Sequence, residues 1–151
     1  MNLQKDLREF LELLNSHKVD FVVVGAHAVA FHGYPRYTGD IDFLVRSTLD
    51  NAQRVVSVLT TFGFEDAAAL TESLMQPEKV IQLGRPPNRI DLLTSISGVD
   101  FDEVWSTSVA GDIDGVPVRF IGREALLKNK RASGRLKDLA DVEEMDSGHS
   151  R

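Results

Sequence analysis

The sequence predicts an α+β fold in which a small mixed β-sheet is flanked by helices. Short runs of β-branched and other apolar residues, such as 22–24, alternate with segments that repeat apolar residues at helical spacing. A two-residue turn signal at 114–115 predicts a hairpin, and neither an internal repeat nor a low-complexity linker interrupts the 151 residues. A chain of this length has room for one hydrophobic core.

The N-terminal segment predicts a helix, a strand and a second, shorter helix. The first helix ends near Asn15, and its apolar face consists of Leu3, Leu7, Phe10, Leu11 and Leu14. Residues 20–25 then read as a buried strand, because they are almost entirely apolar. Small and apolar residues over 26–32 predict the short helix that follows the strand.

Proline, threonine and glycine mark the limits of the next two elements. Pro35 favours an extended backbone before it and leads into a strand over 40–45. Thr48 can cap a helix at its start, and Gly63 can end it. The apolar face of this helix is predicted to consist of Ala52, Val55, Val56, Leu59 and Phe62.

The second half of the chain predicts four more strands and two helices. The strands are expected over 80–83, 89–94, 108–112 and 116–121. The last two would form a hairpin around Asp114 and Gly115, a common two-residue turn. Helices are expected over 123–131 and 135–145, and residues 146–151 show no periodicity, which predicts a disordered tail.

Composition limits the classes of function. The chain has no cysteine, which excludes disulfides and thiolate metal sites. No apolar run approaches the roughly 20 residues needed to cross a bilayer, and the first residues do not read as a signal peptide, so a cytoplasmic protein with no membrane partner is expected. A net charge of −6 argues against non-specific nucleic-acid binding, although a local basic groove remains compatible with it.

Asp40 and Asp42 are the strongest candidates for metal ligands. Side chains alternate along a strand, so these two carboxylates share one face while Ile41 and Phe43 point to the other. Carboxylates so close together repel each other unless a cation lies between them, and a divalent metal can supply that charge. The alternative is a solvated edge strand. Because Gly25 lies at a strand-to-helix turn whose N–H groups suit a phosphate, the pair points to nucleotide chemistry.

The tetrapeptide Gly-Asp-Ile-Asp occurs a second time, at 111–114. This copy runs directly into Gly115, which gives Asp112 and Asp114 a simpler explanation as hairpin residues. We therefore expect both side chains to be exposed and far from any metal.

Asp91 is the third candidate carboxylate. It lies in a strand with apolar neighbours, where an unpaired carboxylate would be costly. If this strand lies beside the one that carries Asp40 and Asp42, three carboxylates converge, which is enough to hold two Mg²⁺ ions about 3.5–4 Å apart. The alternative is a buried salt bridge with Arg89 or Arg36.

These features resemble the nucleotidyltransferase superfamily, in particular its small bacterial members related to abortive-infection and toxin–antitoxin transferases. The matching segments are Val24-Gly25-Ala26, His32-Gly33, residues 35–38, Gly39-Asp40-Ile41-Asp42, Ile90-Asp91-Leu92, Lys130 and residues 135–141. The resemblance implies one nucleotidyltransferase-like domain over 1–145. It also implies an NTP substrate and two Mg²⁺ ions, with Mn²⁺ as the alternative ion. One departure is Ala26, where the superfamily usually has a glycine or serine.

The resemblance also implies roles for individual residues. Asp40, Asp42 and Asp91 would bind the metals and carry catalysis, and Asp91 would also orient or deprotonate an acceptor hydroxyl. The backbone of Gly25 and Ala26 would receive the phosphates. The acceptor is left open between RNA such as tRNA, protein and a small molecule.

The remaining candidates are basic residues. The resemblance singles out Lys130 as a contact to the triphosphate, whereas its neighbours Lys128, Arg131, Arg135 and Lys137 favour a solvated helix face in which Asp138 and Asp141 pair locally. Arg36 and Thr38 precede the metal strand and would contact phosphate or brace the loop. The rival interpretation of the whole chain is a non-catalytic nucleotide-binding protein or one half of a toxin–antitoxin pair, with a cognate antitoxin as partner.

Overall fold

The structure is a computed structural model that describes residues 3–34, 39–85 and 88–149. The α-helices in these ranges are α1 (Leu3–Ser16), α2 (Ala26–Phe31), α3 (Leu49–Phe62), α4 (Phe101–Ser106), α5 (Arg123–Ser133) and α6 (Leu136–His149). None of the described helices is long and apolar enough to span a membrane.

The strands form one sheet. They are β1 (Phe21–Val24), β2 (Asp40–Val45), β3 (Val80–Arg85), β4 (Asn88–Leu93), β5 (Val109–Ile113) and β6 (Val116–Phe120). Their order across the sheet is β3-β4-β2-β1-β6-β5. β1 pairs parallel with β6 and β2 pairs parallel with β4, whereas the other three neighbouring pairs are antiparallel. The predicted mixed sheet with flanking helices is therefore confirmed.

One face of the sheet is covered by α1 and α3 through an aromatic cluster. The ring of Phe43 on β2 contacts Phe10 of α1 and Phe21 of β1, and Phe10 also contacts Phe62 of α3. Phe10 and Phe43 are completely buried. Because Phe43 points into this core, alternation along β2 directs Asp40 and Asp42 to the opposite face of the sheet.

The predicted signals at the ends of α3 act as expected. The hydroxyl of Thr48 accepts a hydrogen bond from the backbone N–H of Asn51, and Gly63 ends the helix in the left-handed conformation.

Two helices differ from the prediction. At the other end of the chain, α6 continues to His149, beyond the predicted limit of 145. Helix α4 was not predicted from the sequence, although Asp100 caps it by accepting a hydrogen bond from the N–H of Glu103.

The hairpin between β5 and β6 turns at Asp114 and Gly115, as predicted. Both residues have positive φ, 53° and 85°, as a type I′ turn requires. The side chain of Asp112 accepts a hydrogen bond of 3.0 Å from the N–H of Gly115. Asp112 and Asp114 are both exposed, so the second Gly-Asp-Ile-Asp copy serves the turn.

Candidate active site

Four charged side chains occupy adjacent positions on β2 and β4. The parallel register pairs Asp40 with Arg89 and Asp42 with Asp91. Because residues two apart on a strand share a face, all four side chains lie on one side of the sheet. The strands are about 4.8 Å apart, so neighbouring charges are close. We refer to these residues as the Asp/Arg quartet. β2 lies between β4 and β1, which rules out the solvated edge strand considered above.

Arg89 supplies the cation of the quartet. Its Nε donates a hydrogen bond of 2.7 Å to Oδ1 of Asp91, and its Nη2 donates one of 3.1 Å to Oδ2 of the same carboxylate. Nη2 also lies 3.5 Å from Oδ2 of Asp40. Asp91 itself is buried. The salt bridge with Arg89 that was considered for Asp91 is therefore present, and it coexists with the convergence of the three carboxylates.

Asp42 carries the main electrostatic cost of this arrangement. Burial raises the pKa of Asp42 to about 6, with further contributions from the charge and hydrogen bond of Asp91 and from the charge of Asp40. The positive charge of Arg89 opposes this rise without cancelling it. A further cation near Asp42 would therefore relieve a real energetic cost.

Gly25 brings the strand-to-helix turn into contact with this carboxylate. Its backbone has φ 71° and ψ −152°, a conformation that L-residues with a side chain rarely adopt. A Cβ atom at this position would overlap Oδ2 of Asp42. The turn therefore requires glycine for both its conformation and its close approach to Asp42. Ala26 follows as the first residue of α2.

Helices α5 and α6 bring a buried lysine together with two aspartates. Lys130 is buried, and its Nζ lies 3.3 Å from Oδ1 of Asp138 and 2.9 Å from Oδ2 of Asp141. Lys130 is therefore not part of a solvated face, although it pairs with both aspartates as that alternative supposed. Lys128 is the contrast, because its side chain is exposed and its amine pairs with Glu103.

Asp138 holds together the side of the site formed by α5 and α6. We call this side the α5–α6 wall, and its cavity-lining residues are Lys130, Arg135, Lys137, Asp138 and Asp141. Its carboxylate also accepts hydrogen bonds from Oγ of Ser133, at 2.7 Å, and from Nε of Arg135, at 2.6 Å. Burial alone would raise the pKa of Asp138. Hydrogen bonds from Arg135, Ser133 and Lys130 together outweigh that effect and lower its pKa. Asp138 therefore remains ionised and holds Lys130 in place.

The quartet, the turn and the α5–α6 wall line one cavity of about 570 Å³. Gly25, Ala26, Lys130, Arg135 and Lys137 contribute to its lining together with the quartet. The structure thus brings together six of the residues proposed from sequence: Gly25, Ala26, Asp40, Asp42, Asp91 and Lys130. The other two proposed residues, Arg36 and Thr38, lie outside the described residues.

The donor set suits a hard divalent cation. Three carboxylates and one guanidinium give the quartet a formal charge of −2 when all are ionised, and carboxylate oxygens are the ligands that Mg²⁺ prefers. In the described part of the chain, however, no three His, Cys, Asp or Glu side chains are already arranged as a metal cluster. The charge and chemistry of the quartet fit Mg²⁺, while the fork of Arg89 holds Asp91 in an ion pair.

Sequence reasoning considered Arg89 only as a salt-bridge partner of Asp91 and did not include it in the site. Arg89 precedes Asp91 by two residues, so strand alternation alone places the two side chains on one face. That signal was available. The burial of Asp138 was not predictable in the same way, because an aspartate within a charged helix usually indicates a solvated face.

A family of known proteins matches nearly the whole chain. The family described as "Nucleotidyl transferase of unknown function (DUF2204)" matches residues 3–148. The chain belongs to this family. The predicted membership of the nucleotidyltransferase superfamily is therefore confirmed. No functionally curated protein matches the sequence at a significant level.

Solved structures with the same fold are nucleotidyltransferases or are described as related to them. A protein described as a candidate nucleotidyltransferase, TM1012 from Thermotoga maritima, aligns with a TM-score of 0.56 over 97% of this chain and 92% of its own. The lincosamide antibiotic adenylyltransferase LnuA, bound to lincomycin, aligns with a TM-score of 0.53 over 95% and 96%. A nucleotidyltransferase-like antigen from Paracoccidioides brasiliensis gives 0.53 over 89% and 71%. Sequence identity is 16% in each alignment, so these structures show a shared fold.

The raised pKa of Asp42 predicts how the metal-free protein responds to pH. Between about pH 4 and pH 6 the unfolded chain ionises this carboxyl while the folded chain still holds its proton, so wild-type stability falls across that window. Asp42→Asn removes this loss. The variant should exceed wild type by about 1–2 kcal/mol at pH 8, a figure reduced for partial solvent exposure, and the difference should vanish near pH 4.

Urea denaturation in EDTA at both pH values measures this difference. Asp112→Asn is the matched control, because it makes the same chemical change in the exposed hairpin, outside the quartet. An Asp42→Asn variant that is less stable than wild type at pH 8 would contradict a cost of burying the Asp42 carboxylate beside Asp91 and Asp40.

Proposed function

We propose that the protein is a nucleotidyltransferase that moves a nucleoside monophosphate from an NTP to a hydroxyl acceptor. The observation that carries the proposal is the register of β2 and β4, which pairs Asp42 with Asp91 directly beside the Gly25 turn. The carboxylates proposed to bind metal and the turn proposed to receive the phosphates are thereby adjacent in one cavity. Membership of a nucleotidyl transferase family supports the NTP as substrate.

In this proposal Asp40, Asp42 and Asp91 hold two divalent ions, Mg²⁺ or alternatively Mn²⁺. When bound, such ions neutralise phosphate charge and align the attacking and leaving oxygens. The chain itself contributes the fixed positions of the three carboxylates. The turn leaves room for Asp42 because it is glycine, since any side chain at Gly25 would overlap that carboxylate.

The chemical step forms one bond and breaks one. The acceptor oxygen bonds to the α-phosphorus, the bond between that phosphorus and the bridging oxygen of the β-phosphate breaks, and pyrophosphate leaves. Asp91 accepts the proton of the acceptor hydroxyl or orients that hydroxyl for attack. We propose that the backbone N–H groups of Gly25 and Ala26 and the ammonium of Lys130 bind the phosphates that depart. Arg36 and Thr38 remain predicted phosphate contacts.

The acceptor belongs to one of three classes, namely RNA, protein or a small molecule. LnuA is an adenylyltransferase for lincosamide antibiotics, so a small molecule is an acceptor class that this fold accommodates. The net charge of −6 opposes non-specific contact with RNA. An RNA acceptor would therefore need specific recognition near the cationic side chains of Arg135 and Lys137 at the cavity.

Two features of the site favour a second function. Arg89 already pairs with Asp91, and Ala26 offers no hydroxyl at the turn. Both features suit a protein that binds a nucleotide without turnover, for example as a sensor or as the partner of a cognate antitoxin. Turnover distinguishes the two functions.

The direct test of transfer incubates the purified protein with each α-labelled NTP, Mg²⁺ and three acceptor pools: total RNA, total protein and small-molecule extract. We expect label from one NTP to enter one pool with release of pyrophosphate. A γ-labelled NTP should leave no label in that pool. Asp42→Asn should abolish transfer, whereas Asp112→Asn should retain it. Mg²⁺-dependent NTP binding without transfer in any pool would favour the second function instead.

The role proposed for Lys130 predicts a selective loss of affinity. If its ammonium contacts the β- or γ-phosphate, Lys130→Ala should weaken binding of the substrate NTP by about tenfold or more and leave NMP binding nearly unchanged. Calorimetric titration measures both affinities, after thermal denaturation has verified that the variant is folded. Lys128→Ala is the matched control from the exposed face of the same helix. Equal and small effects of the two substitutions would remove Lys130 from the phosphate site.

A further inference from the structure

Within the Asp/Arg quartet, the guanidinium of Arg89 occupies the space between two of the proposed metal ligands. It reaches Asp91 through two nitrogens, at 2.7 and 3.1 Å, and Asp40 through Nη2 at 3.5 Å. The main chain of Arg89 is fixed beside β2, because its N–H donates a hydrogen bond of 3.2 Å to the carbonyl of Gly39. A metal ion that used Asp91 as a ligand would need the oxygens that Arg89 now engages.

The side chain of Arg89 is also able to move away from Asp91. Its side chain is 23% exposed, whereas that of Asp91 is 9% exposed, so more of the arginine already meets solvent. Arginine is permanently charged, and its hydrogen bonds to Asp91 raise its pKa further, so it cannot release the carboxylate by losing its proton. Release therefore requires movement of the side chain.

We propose that Arg89 is the resident counter-ion of the quartet and that metal binding at Asp91 displaces it. This inference rests on the metal site of the proposed function and adds a specific role for a residue outside the ligand set. In the metal-free protein the guanidinium offsets one of three negative charges and keeps Asp91 in place. On metal binding the metal ion replaces the guanidinium of Arg89 at Asp91. The measured affinity for metal therefore reports the free energy of binding the ion minus that of the Arg89 contacts that are lost.

The exchange predicts that removing Arg89 strengthens metal binding. If Arg89 only held Asp91 in place, its removal would instead weaken metal binding, because Asp91 would lose its support. Mn²⁺ alone, without nucleotide, is the probe, and the free ion is measured by electron paramagnetic resonance. Arg89→Gln should bind Mn²⁺ about tenfold more tightly than wild type. Arg89→Lys should fall between the two, because it keeps the charge but cannot engage both oxygens of Asp91 at once.

Lys137→Gln is the matched control for charge. Lys137 lines the same cavity, so its removal changes the local charge equally without freeing a quartet carboxylate, and its effect should be clearly smaller. Thermal denaturation provides a second readout. In EDTA, Arg89→Gln should unfold at a lower temperature than wild type, and Mn²⁺ should raise its midpoint by more than it raises that of wild type.

The possible results distinguish a failure of the exchange at Arg89 from a failure of the proposed function on which it rests. Mn²⁺ binding by Arg89→Gln and Arg89→Lys that equals or falls below that of wild type would overturn the exchange and leave the metal site intact. Absence of Mn²⁺ binding in wild type and both variants, with and without NTP, would overturn the exchange together with the metal-dependent function.

Discussion

The pairing of β2 with β4 is the constraint on which the site depends. It is a parallel pairing between strands far apart in sequence, and it places Asp42 beside Asp91 and Asp40 beside Arg89. A slip of one residue in either strand would turn its charged residues toward the aromatic core around Phe43. The buried contacts of that core therefore fix the register, and the register fixes the positions of the charges.

The rest of the structure compensates for the charges that this register brings together. Arg89 offsets part of the negative charge, yet burial and the neighbouring aspartates still raise the pKa of Asp42. The α5–α6 wall is more nearly balanced, since Asp138 and Asp141 surround Lys130. The quartet thus retains excess negative charge, while the charge of Lys130 is offset by its two aspartate partners. The excess at the quartet suits the cations of a metal–triphosphate.

Much of the fold was predictable because its signals are local. Alternation along β2 placed Asp40 and Asp42 on one face, and Asp114-Gly115 marked the hairpin that excluded the second copy of the motif. The adjacency of β2 and β4 was not predictable from periodicity, because it depends on contacts between distant segments. The burial of Lys130 also escaped prediction, since α5 has the composition of a solvated helix. In contrast, the salt bridge between Arg89 and Asp91 was considered from the sequence only as an alternative to the convergence of the three carboxylates, and the structure shows the two together.

A crystal structure with Mn²⁺ and a non-hydrolysable NTP analogue would show whether the quartet binds metal beside the nucleotide, because the anomalous signal of manganese locates the ion without assumptions. We expect manganese within coordination distance of Asp40 and Asp42, with the triphosphate against the Gly25 turn and with Arg89 withdrawn from Asp91. A metal–nucleotide complex bound elsewhere on the chain, or a nucleotide in this cavity with no metal at the quartet, would contradict this expectation.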